Sequence, residues 1–166
     1  MIHLYTGDGG GKTTSALGVA MRALGHGKKV VMIQFMKGRT DTGEYKIQKQ
    51  LKNFKVYQFG REDFIKPVDK PTEKDYKLAE KGLRFVEKTL KEKPCLLILD
   101  EINLAAAIGL LKISDVLKVL EKKSKDTHLI MTGRHAPEEF IRIADIVTTV
   151  EDVKRVEREA QKGIEY

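Results

Sequence analysis

The chain has 166 residues, 41% hydrophobic and 33% charged, which suits one globular domain, residues 1–166, with its own core and excludes disordered and fibrous classes. One cysteine, Cys95, excludes an internal disulfide, and the longest aliphatic stretch, LAAAIGLL at 104–111, is too short to span a bilayer. The formal charge of +7 gathers at 46–94, with fourteen Lys/Arg against eight Asp/Glu; with no Trp and no aromatics interleaved among the bases, it points to anionic small molecules rather than nucleic acid.

The opening MIHLYTG has no basic or apolar leader pattern, so a cytoplasmic location is expected. Residues 2–5 read as the first strand, and the segment after it, YTGDGGGKTT at 5–14, is the most informative in the chain. Gly7, Gly9, Gly10 and Gly11, with Asp8 among them, let the backbone turn tightly and aim successive N–H groups at a bound anion. A helix over 13–24 adds its N-terminal dipole and free amides. Lys12 would reach the phosphates, the Thr13 hydroxyl is placed to ligate Mg²⁺, and Thr14 ends the cradle. The pattern G-x-x-x-x-G-K-[ST] asks for glycine at position 6, where Thr6 stands, so this is a variant P-loop with that glycine one place later. Gly25 closes the helix, and Arg22 on it is a further candidate nucleotide contact.

Further along, strands are expected at 29–34 and 54–59, with a helix at 44–51 between them. Residues 60–71 (GREDFIKPVDKP) read as a loop over a site, because two prolines interrupt any regular pattern. Thr72 looks like the N-cap of a helix over 72–91, with Asp75 in place of the capping-box glutamate. The run CLLILDE at 95–101 is a buried strand, Cys95 included in the core, that ends in two carboxylates. Asp100 would hold Mg²⁺ directly or through water, and Glu101 would ligate metal or orient a substrate. A helix at 114–122 capped by Ser114, a strand at 128–131, a helix at 137–143 and a strand at 146–150 complete the chain. Arg134, in the TGRH segment after the fifth strand, falls at the same sheet edge as the glycine loop and could meet a phosphate or carboxylate.

Alternating apolar strands and helices imply right-handed crossovers, hence an α/β fold: a single-domain, P-loop NTPase-like, mostly parallel sheet with helices on both faces. The residues themselves go as far as phosphate binding with Mg²⁺ and do not say which bond breaks. One reading they leave open is a P-loop phosphotransferase or NTPase acting at the γ-phosphate on another small acceptor, which would release ADP.

Taken together, YTGDGGGKTT, ALGHGKKV with QFMKG, the later TGE, FGREDFIKP, LILDEINLA, TGRHAPEEFIRIAD and the terminal QKGIEY resemble the P-loop family of ATP:corrinoid adenosyltransferases nearly end to end. The resemblance implies that Co(I) of a reduced corrinoid attacks the 5′ carbon of ATP and that tripolyphosphate leaves whole, with ATP lying reversed in the loop. It casts Lys12 and Glu101 as catalytic, Thr13, Asp100 and Glu101 as Mg²⁺ ligands, and Phe64 in the 60–71 loop as a cover for the corrin. The implied substrates are ATP and cob(I)alamin or a cobinamide- or cobyrinate-type corrinoid; a homodimer and a flavoprotein reductant come with the same likeness. Departures exist: Gly10 stands where the family loop usually carries Lys, and Lys66 stands where some members have Trp.

Overall fold

The computed structural model describes residues 1–62, 71–156 and 159–166. Six strands, β1 (Ile2–Thr6), β2 (Val30–Phe35), β3 (Phe54–Phe59), β4 (Leu96–Asp100), β5 (His128–Thr132) and β6 (Ile146–Thr149), form one sheet in the order β3-β2-β4-β5-β1-β6. Every neighbouring pair is parallel. The central strands β2 and β4 are buried along their whole length, because helices cover both faces.

Period-two alternation along each strand sends successive side chains to opposite layers. Leu97 and Leu99 of β4 join Val31, Ile33 and Phe35 of β2 and Leu4 of β1 under α3 (Glu73–Lys91), α4 (Ile102–Ala107), α5 (Ile113–Leu120) and α6 (Glu138–Ile143). Leu96 and Ile98 join Val30, Met32 and Ile130 on the other face, under Ala16 and Ala20 of α1 (Lys12–Gly25), with Tyr45 of α2 (Gly43–Ile47) against them. The α/β expectation and its parallel sheet are therefore observed. Among the described residues no helix is long and apolar enough to cross a membrane.

Each predicted strand lies within one residue of an observed one. The helices differ more. Residues 102–107 (INLAAA), to which the sequence reading assigns no element, form α4; its residues are apolar almost all round, so no 3.6-residue polar stripe announces it. The cap of α5 is Lys112 rather than Ser114, because Ile113 turns into the core two residues earlier than the hydroxyl would suggest. The 44–51 helix shortens to α2, and α1 runs through Gly25, the residue expected to close it, with His26 as its C-cap. Cys95 lies just before β4 and is only half-buried.

Asp75 performs the capping role expected of it and does more. Its Oδ2 accepts from the Thr72 amide (2.8 Å) and hydroxyl (2.7 Å), while its Oδ1 accepts from Arg61 Nε (2.8 Å). One buried carboxylate thus caps α3 and also holds Arg61, near the beginning of the 60–71 segment, against the start of that helix. Residues 63–70, Phe64 and Lys66 among them, lie outside the described residues. Burial pushes the Asp75 pKa up, but the Thr72 donors and the Arg61 charge outweigh it, and the net shift is downward. A carboxyl depressed by folding stabilises above its ordinary value and loses that contribution as pH falls through the depressed one. Asp75→Asn is therefore expected to cost about 1–3 kcal/mol at neutral pH. In urea titrations the gap to wild type should close as pH drops below about 4; a gap independent of pH would contradict the role.

Gly82 of α3 faces two phenyl rings. A Cβ there would sit 2.8 Å from Phe35 Cε1 and 3.1 Å from the Phe59 side chain, and both rings are buried. Helix propensity favours alanine by about 1 kcal/mol, whereas overpacking costs about 1–3 kcal/mol. We expect packing to win, so that Gly82→Ala lowers stability by about 1 kcal/mol or more in chemical denaturation; a stabilised variant would show that the helix can step away from the sheet.

Candidate functional site

The site lies at the carboxyl ends of the strands, where an open parallel sheet presents its connecting loops. Polar residues end otherwise apolar strands there: Thr6 on β1, Gln34 near the end of β2, Asp100 on β4 and Thr132 on β5. β5 lies between the strand that feeds the glycine loop and the strand that carries Asp100.

The loop winds back on itself around Lys12. The Lys12 Nζ donates to the carbonyls of Gly7 (2.7 Å) and Gly9 (2.5 Å), and the side chain is buried. Desolvation lowers its pKa against the pull of Glu101 and Asp8. The 150–152 segment backs the loop closely. The Gly9 amide donates to the Val150 carbonyl (2.9 Å) and the Gly10 amide to Asp152 Oδ1 (2.9 Å). A side chain at Gly7 would strike the Val150 carbonyl, and one at Gly9 would lie 2.7 Å from the Glu151 backbone, so both positions require glycine. Gly10 does not: a Cβ there would meet only Asp152 Oδ1, at 3.9 Å. Thr14 donates to the Gly11 carbonyl (3.0 Å) within the first turn of α1.

Asp100 is the centre of the site and is wholly buried. Its Oδ1 accepts from the hydroxyls of Thr13 (2.8 Å) and Thr132 (2.7 Å), and its Oδ2 from Lys37 Nζ (2.7 Å) and Gln34 Nε2 (3.1 Å). Gln34 also donates to Glu44 Oε1 (3.1 Å) and accepts from Gln58 Nε2 (3.0 Å). Burial alone would raise the Asp100 pKa, but Lys37 and the hydroxyl donors overcome it and hold the group ionised. For Glu101 burial has the opposite outcome: desolvation, reinforced by the Asp100 charge, raises its pKa. Its backbone is left-handed (φ 60), a conformation rare for a residue with a Cβ, and its amide donates to Thr132 Oγ1 (3.1 Å). Asn103, fully buried in α4, ties the strand ends together by donating to the carbonyls of Tyr5 (3.1 Å) and Gly133 (3.2 Å).

The structure thus brings the glycine loop, Lys12, Thr13, Asp100 and Glu101 together. Arg134 faces the same place, close enough for its charge to bear on Lys12 and Glu101. It lines a hollow of about 930 Å³ with Gly10, Asp152, Lys154 and Arg155. Asp8 is exposed beside the loop. Arg22 is not brought in: it sits in the last turn of α1, roughly 15 Å along the axis from Lys12, and is exposed. Phe64 lies outside the described residues. Sequence reasoning missed Lys37, Gln34 and Thr132 as partners of Asp100; for Gln34 and Thr132 the available signal was a polar residue at the end of an apolar strand, and Lys37 lies just beyond β2.

Chemically, the arrangement offers a nest of amides and a buried lysine for an anion, beside hydroxyl and carboxylate oxygens suited to a hard cation. Among the described residues no three His, Cys, Asp or Glu side chains gather to hold a metal by themselves.

Comparison of the sequence with known proteins identifies a family. A family model described as ATP:corrinoid adenosyltransferase BtuR/CobO/CobP matches residues 1–166. A corrinoid adenosyltransferase of Pseudomonas aeruginosa is 34% identical over 170 residues, spanning 100% of this chain and 83% of the relative. That of a Sinorhizobium species is 33% identical over 173 residues, spanning 100% and 80%, and that of Escherichia coli K12 is 31% identical over 171 residues, spanning 100% and 85%. Matched along its whole length, and with the loop, the paired strand-end carboxylates and the parallel sheet in place, the chain belongs to the ATP:corrinoid adenosyltransferase family.

Proposed function

We propose that this chain transfers the 5′-deoxyadenosyl group of ATP to the Co(I) centre of a reduced corrinoid and releases tripolyphosphate. ATP-dependent adenosylation of a corrinoid is the reaction of its family. In the finer reading the cobalt nucleophile forms a Co–C bond to the 5′ carbon as the C5′–O5′ bond breaks. The electron pair of that bond leaves with the triphosphate oxygen.

Charge therefore builds on the leaving triphosphate, and the loop is suited to that event. Lys12 and the amides of Gly11, Lys12 and Thr13, at the start of α1, are donors fixed before the reaction begins; a single donor of this kind is worth about 10²–10³ in rate. In this reading Gly7, Asp8, Gly9, Gly10, Gly11, Lys12, Thr13 and Thr14 cradle the phosphates, and Arg134 adds charge at the rim. Glu101, with its raised pKa and fixed backbone, orients the substrate beside the metal. Bound Mg²⁺ would supply further charge neutralisation, held by the Thr13 hydroxyl and Asp100 with Glu101 nearby, all oxygen donors that fit it. The observation that supports the reading is the 2.8 Å contact between Thr13 of the loop and the buried Asp100, which sets a hydroxyl and a carboxylate oxygen side by side near Lys12. Phe64 in the 60–71 segment remains the proposed cover for the corrin. The same reading includes one domain at residues 1–166, a cytoplasmic homodimer and an external reductant, with a flavoprotein as candidate, to maintain Co(I).

The test is anaerobic: protein, Mg-ATP and chemically reduced cob(I)alamin, followed by absorbance. A light-sensitive alkylcobalt spectrum that needs ATP is expected. ADP accumulating with no change at cobalt would turn the assignment to γ-phosphate transfer onto another acceptor.

A further inference from the structure

Of the four donors on Asp100, three belong to the framework. Gln34 and Thr132 lie in β2 and β5, fully buried, and Thr13 opens α1. Lys37 differs: it stands beyond the end of β2, its side chain is 22% exposed, and it reaches the carboxylate on a flexible four-carbon stem. Its ammonium lies 2.7 Å from Asp100 Oδ2 and 3.5 Å from Thr13 Oγ1. A single positive centre thus touches both the loop hydroxyl and the strand-end carboxylate.

We propose that the Lys37 ammonium is an internal counter-ion seated on the divalent-cation ligands Thr13 and Asp100, and that a metal–nucleotide complex binds by displacing it. The inference rests on the reading that these two residues hold the nucleotide's cation. Both oxygens of Asp100 already carry two donors, so an incoming cation must remove one of them. Removing Gln34 or Thr132 would disturb β2 or β5, whereas Lys37 needs only side-chain rotation.

The backbone around Lys37 is built to aim it. Met36 before it is left-handed (φ 59), and Gly60 packs against the peptide joining Met36 to Lys37 so tightly that a Cβ on Gly60 would collide with it. A carboxylate buried this deeply cannot be left unpaired without a large penalty, which explains a lysine held there when no metal is bound. Glu101 and Glu44 are the other acids whose charge bears on Lys37, and both favour its retention. A bare divalent cation faces an occupied seat, while a metal–nucleotide complex offers the freed ammonium a triphosphate to approach.

Two measurements test this on the full chain. Mn²⁺ binding followed by EPR, without nucleotide, is expected to be at least tenfold tighter in Lys37→Met than in wild type, and added cation should raise the melting temperature of the variant alone. Equal Mn²⁺ affinity in the two folded proteins would overturn the proposal, and a variant that folds only with Mn²⁺ would support it. In wild type labelled with [6-¹³C]lysine, the Lys37 signal, assigned by its loss in Lys37→Arg, should move with Mg-ATP and stay in place with ATP plus EDTA. A signal that stays with Mg-ATP, or moves equally without metal, would overturn it. Failure of the underlying reading looks different: Mn²⁺–ATP binding would then be unaffected by Asp100→Asn.

Discussion

Lys12→Ala is expected to lower kcat by about 10²–10³, the usual cost of removing one preorganised donor from a site of developing negative charge. The argument is geometric. The ammonium is buried at the centre of the loop, bonded to the Gly7 and Gly9 carbonyls, and no other cation reaches that position among the described residues. Because the charge on triphosphate grows only as the C5′–O5′ bond breaks, the loss should fall mainly on kcat, with KM for the corrinoid little changed. Lys12→Arg keeps the charge but needs more room inside a loop closed by two carbonyls, so only partial recovery is expected. Anaerobic steady-state kinetics with varied corrinoid would check this. Turnover within threefold of wild type in Lys12→Ala would remove the lysine from the mechanism.

The second large effect is expected at Asp100. In Asp100→Asn the amide can turn its NH₂ toward the Thr13 and Thr132 hydroxyls, which accept as readily as they donate, and its oxygen toward Gln34 and Lys37. Hydrogen bonding survives and only the charge is lost, so the fold should persist with a stability loss of about 1–3 kcal/mol. Activity should not persist. An amide is a poor ligand for a hard cation, and we expect Mg-dependent turnover to fall by about 10² or more. The wild-type carboxyl is held below its ordinary pKa, so its stabilising contribution exists above the ordinary aspartate range and disappears as pH falls through the depressed value. Urea denaturation of the two proteins across pH 3–7 would separate this charge contribution from packing.

Much of this site was legible because strand-to-loop-to-helix junctions carry local signals. GGGKTT needs glycine for close backbone approach, and LLILDE sets two acids at the end of a buried strand; both landed where their spacing implied. The partners of Asp100 were harder to see. Lys37 and Gln34 sit 63 and 66 residues away from it, and only the β2–β4 register, which sets Gln34 opposite Asp100, brings them in. Arg22 shows the reverse: nearness in sequence to Lys12 leaves out the helical rise that carries it to the far end of α1. The missed helix α4 is a case of tertiary packing replacing periodicity, since Ile102, Ala105 and Ala106 are all buried and leave no polar face to read.

Which bond of ATP breaks is the central claim, and [α-³²P]ATP tests it most directly. In a single anaerobic turnover with reduced cob(I)alamin, the label should appear in tripolyphosphate, with one equivalent formed per alkylated cobalt. Label in ADP, or in AMP beside unlabelled pyrophosphate, would mean cleavage within the phosphate chain and would contradict attack at the 5′ carbon.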